Sequence, residues 1–127
     1  MSEKSVRTLR VLVADDNRDA ADSCAMLFRL HGHNARVAYS GAEALAAAAE
    51  FRPALALLDI GMQDMDGYEV ARRIRAAPWG QGMVLAALTG WTQARDKRRS
   101  REAGFDHHLA KPVEFEELQK LLASIGF

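Results

Sequence analysis

One cysteine, three prolines and no excess of either charge mark what this chain has little of. A single cysteine, Cys24, excludes an internal disulfide and gives no cysteine spacing for a metal site. In a helical stretch it reads as a small buried residue. Lys and Arg number 17 and Asp and Glu number 17, so the formal net charge is zero. That argues against a general nucleic-acid binder, whose contact face is normally basic. No apolar run approaches the ~18 residues of a membrane span, and residues 1–10 hold no apolar signal-peptide core. These absences point to a cytoplasmic protein with neither nucleic acid nor membrane among its partners. No repeat or low-complexity segment interrupts the chain. Its 127 residues suit one domain able to bury a real core.

What is there is a set of apolar runs that each end in a reactive side chain. Leu55-Ala56-Leu57-Leu58 runs straight into Asp59. Four apolar residues in a row read as a strand buried on both faces. An acid has no use inside such a strand, so Asp59 belongs where the strand emerges. Val11-Leu12-Val13-Ala14 ends in Asp15-Asp16, the run 83–88 ends in Thr89, and His108-Leu109-Ala110 ends in Lys111-Pro112. In open α/β sheets, ligands bind beyond the carboxyl ends of the strands.

The periodicity between these runs predicts helices. Residues 1–9 form a polar tail, and a domain spans 10–127. Ala21, Cys24, Ala25, Leu27 and Phe28 recur at helical spacing from Asn17 to about His31, and Gly32 stops that helix. Residues 34–38 make a second strand. Ser40-Gly41-Ala42-Glu43 is a capping box that opens an alanine-rich helix. Asp66-Gly67-Tyr68-Glu69 opens a third helix, with Val70, Ala71 and Ile74 inward. A charged helix covers 91–103, and a last one covers 113–125 with Phe115, Leu118, Leu121, Leu122 and Ile125 on one face. Five strand–helix units imply a doubly wound α/β fold: a five-stranded parallel sheet, five helices on its two sides, and right-handed crossovers.

If the strands lie side by side, Asp15, Asp16, Asp59, Thr89 and Lys111 meet at one sheet edge. Crowded carboxylates repel, and their pKa values rise unless a cation neutralises them. Oxygen ligands at this density suit Mg²⁺. Lys111 can meet a phosphate oxygen as a point charge, and Thr89 can donate to another. A carboxylate beside such partners is equipped to attack phosphorus and form an acyl phosphate.

These residues, in this order and at these spacings, resemble a response-regulator receiver domain, the fold of the chemotaxis response regulator. The resemblance runs from about Arg10 to Ile125. It implies a flavodoxin-like sheet of order 2-1-3-4-5 and a phosphoacceptor at Asp59, with Thr89 and Lys111 assisting. It implies a Mg²⁺ site made of Asp15, Asp16, Asp59 and the backbone carbonyl of Gly61. A cis Lys111-Pro112 bond, a small Gly90, and a switch pairing Thr89 with His108 also follow from it. The implied donor is a histidine kinase or a histidine phosphotransfer protein. The implied output is a downstream protein docking on the fourth helix, fifth strand and fifth helix. Such a domain catalyses only its own phosphorylation and dephosphorylation.

Three positions depart from the family pattern. Gln63 stands where proline is usual, which implies a more mobile loop without loss of a reactive group. His108 replaces the usual Tyr or Phe and can titrate near neutrality. Trp91 follows Thr89 by two residues, where a bulky indole implies a slowly hydrolysed phosphoryl group. The phrases around Asp16 and His108 also resemble receivers attached to hybrid histidine kinases. No effector module follows Phe127, so the chain reads as a stand-alone receiver or one cut from a longer protein.

Other readings compete. Asp15-Asp16 could simply cap a helix, but capping leaves Asp59, Thr89 and Lys111 unexplained. A phosphate-independent binding module would need a broken site. A haloacid-dehalogenase-type hydrolase would need a second Asp two residues after the nucleophile, where Gly61 stands. His31, His33, His107 and His108 read as surface or switch residues rather than metal ligands. Arg95, Lys97, Arg98, Arg99 and Arg101 form a solvated helix face.

Overall fold

The computed structural model describes residues 8–90 and 97–126. Elements alternate along the chain: β1 (Arg10–Ala14), α1 (Arg18–Leu30), β2 (Asn34–Ala38), α2 (Gly41–Phe51), β3 (Leu55–Asp59), α3 (Gly67–Ala76), β4 (Val84–Thr89), α4 (Lys97–Ala103), β5 (His107–Ala110) and α5 (Phe115–Ser124). All strand pairs are parallel, in the order β2-β1-β3-β4-β5. Ala14 lies beside Leu58, Asp59 beside Leu88, and Thr89 beside Ala110. The ends of β1, β3, β4 and β5 therefore share one edge.

The central strands have no polar face because each side of the sheet carries its own core. Leu12, Ala14, Ala56, Leu58, Leu85 and Ala87 pack toward α2, α3 and α4. Val11, Val13, Leu55, Leu57, Ala86 and Leu88 pack toward α1 and α5. This is the two-residue alternation of a pleated strand, read on two buried faces. The predicted inward residues Val70, Ala71 and Ile74 of α3 are fully buried.

Local signals set the helix starts. Asn17 Oδ1 accepts from the Ala20 amide at 3.0 Å, and Asp66 Oδ1 accepts from the Glu69 amide at 2.9 Å. Ser40 Oγ accepts from the Glu43 amide at 3.1 Å. Glu43 returns the bond one residue further back than a capping box requires, on the Tyr39 amide at 2.8 Å. Gly32 closes α1 at φ 87°, a left-handed conformation that costs glycine little.

Two readings change, and a third lies partly outside the described residues. Leu9, assigned to the tail, is buried, and its amide donates to His33 Nδ1 at 3.1 Å. Phe115, assigned to the buried face of α5, is 38% exposed. It is the first residue of α5 and stacks on His31 at 4.5 Å instead of entering the core. The charged helix is described only from Lys97, and residues 91–96 lie outside the described residues.

Arg75, at the end of α3, stitches the far edge of the sheet. Its guanidinium donates to the carbonyls of Gly80, Gln81, Met83 and Gly104 and to Asp106 Oδ2, over 2.6–3.2 Å. Asp106 Oδ2 also accepts from the Leu85 amide at 3.0 Å. An Arg75→Ala protein should lose about 2 kcal/mol, the scale of several charge-assisted bonds partly replaced by water. That is roughly 8 °C in Tm for a domain of this size. Lysine should recover little, because a point charge cannot span a fork of carbonyls. Thermal melting of the two variants checks this.

Candidate functional site

Three acids converge at the carboxyl edge of the sheet. Asp15 follows β1 and is 1% exposed, Asp59 ends β3 and is 5% exposed, and Asp16 is exposed. One carboxylate oxygen from each lies within 4.8 Å of the others. Lys111, from the segment after β5, places Nζ 3.3 Å from Asp15 Oδ2 and 3.2 Å from Asp59 Oδ1. No other group of three or more His, Cys, Asp or Glu residues among the described residues is placed to hold a metal ion.

Backbone amides hold each acid. Asp15 Oδ1 accepts from Asn17 at 3.0 Å, Asp59 Oδ1 from Gly61 at 3.1 Å, and Asp16 Oδ2 from Gln63 at 3.3 Å. Asp15 thus supports the approach to α1, while Asn17 caps the helix itself. Burial raises the Asp59 carboxyl above its ordinary value, against the pull of the Gly61 amide; Asp15 adds to the rise, and Lys111 opposes it. Burial works downward on the Lys111 ammonium, but Asp59 and Asp15 together outweigh it and raise the group. Cys24, buried on α1, has its thiol pushed up to about 12 by burial and by Asp15, so it is no nucleophile at neutral pH.

Thr89 is buried at the end of β4, its hydroxyl 3.5 Å from the Leu109 carbonyl that accepts from it. His108 is half-buried on β5 beside Ala87, so it faces the α4 side of the sheet. The Lys111-Pro112 peptide bond is cis. A Cβ on Gly90 would meet nothing within 4 Å, so room there is open in this state. His31 stacks on Phe115, and His33 accepts from Leu9. Arg98, Arg99 and Arg101 are exposed, and Arg99 lies over the Tyr68 ring at 4.2 Å. Trp91 and Arg95 lie outside the described residues, as does the side chain of Lys97.

The loop after β3, where Gln63 stands in place of the usual proline, is tied at both ends. Asp64 accepts from the Gly41 and Ala42 amides at 2.8 and 3.0 Å, which ties the loop to the start of α2 and lowers the Asp64 carboxyl. Gly67 donates to the Ile60 carbonyl at 3.0 Å and closes the loop on itself. A Cβ on Gly67 would stand 2.7 Å from the Asp59 carbonyl oxygen, so only glycine lets α3 start this close to the acid. The sequence reading did not find the Gln63 amide or Asp64. A helix-capping acid 23 residues from its helix has no local signature.

An acid triad, one lysine on two of its members and a buried threonine, at the carboxyl edge of a 2-1-3-4-5 parallel sheet, describe a receiver site. The chain belongs to the response regulator receiver domain family, whose sequence profile matches residues 11–123. It is 34% identical over 110 residues to the response regulator MprA of Mycobacterium avium (strain 104), covering 87% of this chain and 47% of that one. The chain thus spans about half the length of that relative. Among solved structures it resembles the chemotaxis protein CheY4 of Vibrio cholerae, with TM-score 0.87, 26% identity, and 94% and 99% of the two chains covered. It also resembles the receiver domain of the sensor histidine kinase PA1611 of Pseudomonas aeruginosa PAO1, a structure with a magnesium ion coordinated in the active site cleft. There the TM-score is 0.83 and identity 28%, with 93% and 97% covered. The protein is therefore a receiver domain of two-component signalling. No described helix is long and apolar enough to cross a membrane.

Proposed function

We propose that the unit over residues 10–127 is a cytoplasmic phosphoacceptor domain that takes a phosphoryl group onto Asp59. The donor is a histidine kinase or a histidine phosphotransfer protein. The observation that carries this reading is Lys111 Nζ, 3.2 Å from Asp59 and 3.3 Å from Asp15 beside an all-oxygen acid cluster. Mg²⁺ fits that cluster: it prefers oxygen ligands, keeps several waters, and leaves room for phosphate. Asp15, Asp16, Asp59 and the Gly61 carbonyl would hold it. When bound, it offsets charge on the transferring group.

The chain's own residues do the rest. An Asp59 carboxylate oxygen attacks phosphorus as the phosphorus–nitrogen bond to the donor imidazole breaks, and the imidazole leaves with its electron pair. The Gly61 amide and Lys111 orient Asp59 toward the incoming group. Thr89 exchanges its bond to Leu109 for a phosphoryl oxygen, which loosens β4 from β5 beside His108. His108 then shifts on the α4 side, and the surface of α4, β5 and α5 changes for a downstream protein. This is a two-state population shift driven by contacts that exist only in the phosphorylated form. The domain acts on no external substrate.

Intact mass after incubation with Mg²⁺ and acetyl phosphate tests the reading. One added phosphoryl group, lost when the metal is chelated, is the expected result. An unchanged mass in a folded protein would favour a phosphate-independent binding module.

A further inference from the structure

Lys111 neutralises two acids of the cluster and leaves the third. Asp16 forms no ion pair among the described residues, and its partner is a backbone group, the Gln63 amide at 3.3 Å. That amide is a fixed donor because the loop is anchored on both sides of it. Before it, the Gly61 amide holds Asp59. After it, Asp64 takes the Gly41 and Ala42 amides. Met65 lies so close to α2 that a Cβ on Gly41 would stand 2.6 Å from its carbonyl oxygen. The exposed Gln63 side chain plays no part in this; residue 63 matters through its N–H, which a proline there would lack.

We infer that the Gln63 peptide N–H is a positioning group for Asp16, holding this exposed carboxylate turned toward Asp15 and Asp59 before a cation arrives. The inference rests on the proposed cation site and adds to it a donor that no side chain supplies. An exposed Asp left alone samples several rotamers, most of which point away from the cluster. One oxygen engaged by the amide removes that freedom and leaves the other for the cation. Groups that orient metal ligands typically change metal affinity by about 10–100-fold. A single neutral amide acting on one of three acids belongs at the low end, about tenfold.

Calorimetric Mg²⁺ titration of the full chain tests this in wild type, Gln63→Ala and Gln63→Pro. Alanine keeps the N–H and should bind Mg²⁺ like the wild type. Proline removes it and should bind about tenfold more weakly. Equal affinity in all three overturns the inference while leaving the cation site standing. A wild type that binds no Mg²⁺ overturns the cation site and the inference with it. Amide exchange in the metal-free protein gives a second readout that does not depend on how the proline variant folds. Asp16→Ala should speed exchange at the Gln63 amide and leave the Gly61 amide, held by Asp59, unchanged. A Gln63 amide indifferent to Asp16→Ala overturns the inference.

Discussion

An Asp59→Asn protein should take up no phosphoryl group and should melt a few degrees above the wild type at pH 7 in magnesium-free buffer. The first effect is complete because a carboxamide oxygen is no nucleophile toward phosphorus, and no other acid of the triad combines burial at a strand end with the Gly61 amide. The second effect follows from the site's electrostatics. Asp59 is 5% exposed, and burial foremost raises its carboxyl above the ordinary 3.8; Asp15 adds to this against Gly61 and Lys111. A carboxyl whose pKa is higher in the folded than in the unfolded chain opposes folding as pH rises. The penalty is absent below 3.8, grows as pH rises through the folded value, and is complete above it. Asparagine carries no charge and keeps an oxygen for the Gly61 amide. The gain in Tm should therefore be full at pH 7, shrink on acidification, and shrink again when Mg²⁺ neutralises the wild-type cluster. Melting curves across pH check the sign: an Asn variant less stable at pH 7 would mean that Lys111 and Gly61 outweigh burial.

Lys111→Ala should slow phosphoryl uptake by about a hundredfold or more, the usual effect of losing a positioned group at developing charge. Lys111 is the one cation on Asp15 and Asp59 among the described residues. Without it two buried acids face each other, and the Asp59 carboxyl moves further up, so less of the attacking carboxylate is present. Binding of Mg²⁺ should respond in the opposite sense. The ammonium already neutralises two of the acids that a cation would use, so its removal should leave affinity equal or tighter. Initial rates of mass gain with acetyl phosphate, set beside a Mg²⁺ titration, separate the two. A parallel fall in both would make Lys111 a structural residue only.

Much of this protein is written along the chain. Four unbroken apolar residues before Asp59 determine a doubly buried strand, and the spacing of Ala21, Cys24, Ala25 and Phe28 determines the buried face of α1. Asn17, Ser40 and Asp66 mark helix starts because a cap acts on amides two or three residues away. The runs that end in Asp15, Asp59, Thr89 and Lys111 already carry the site's ingredients, since strand ends in a parallel sheet share an edge. Each of these signals is local, with a period or an offset of a few residues.

What the tertiary structure alone decides are the contacts across elements. Lys111 could have faced either acid, and it faces both because β1 and β3 are neighbours while β5 ends two strands beyond β3. Phe115 fits the apolar stripe of α5 yet stays half-exposed, because only the meeting of two helix ends determines what covers a first turn. Arg75 looks like any basic residue near a helix terminus until three carbonyls of the segment that follows α3 and the carbonyl of distant Gly104 converge on it. The Gln63 amide is hidden most deeply: every residue but proline has a backbone N–H, so only the register of one loop against another reveals which carboxylate receives it.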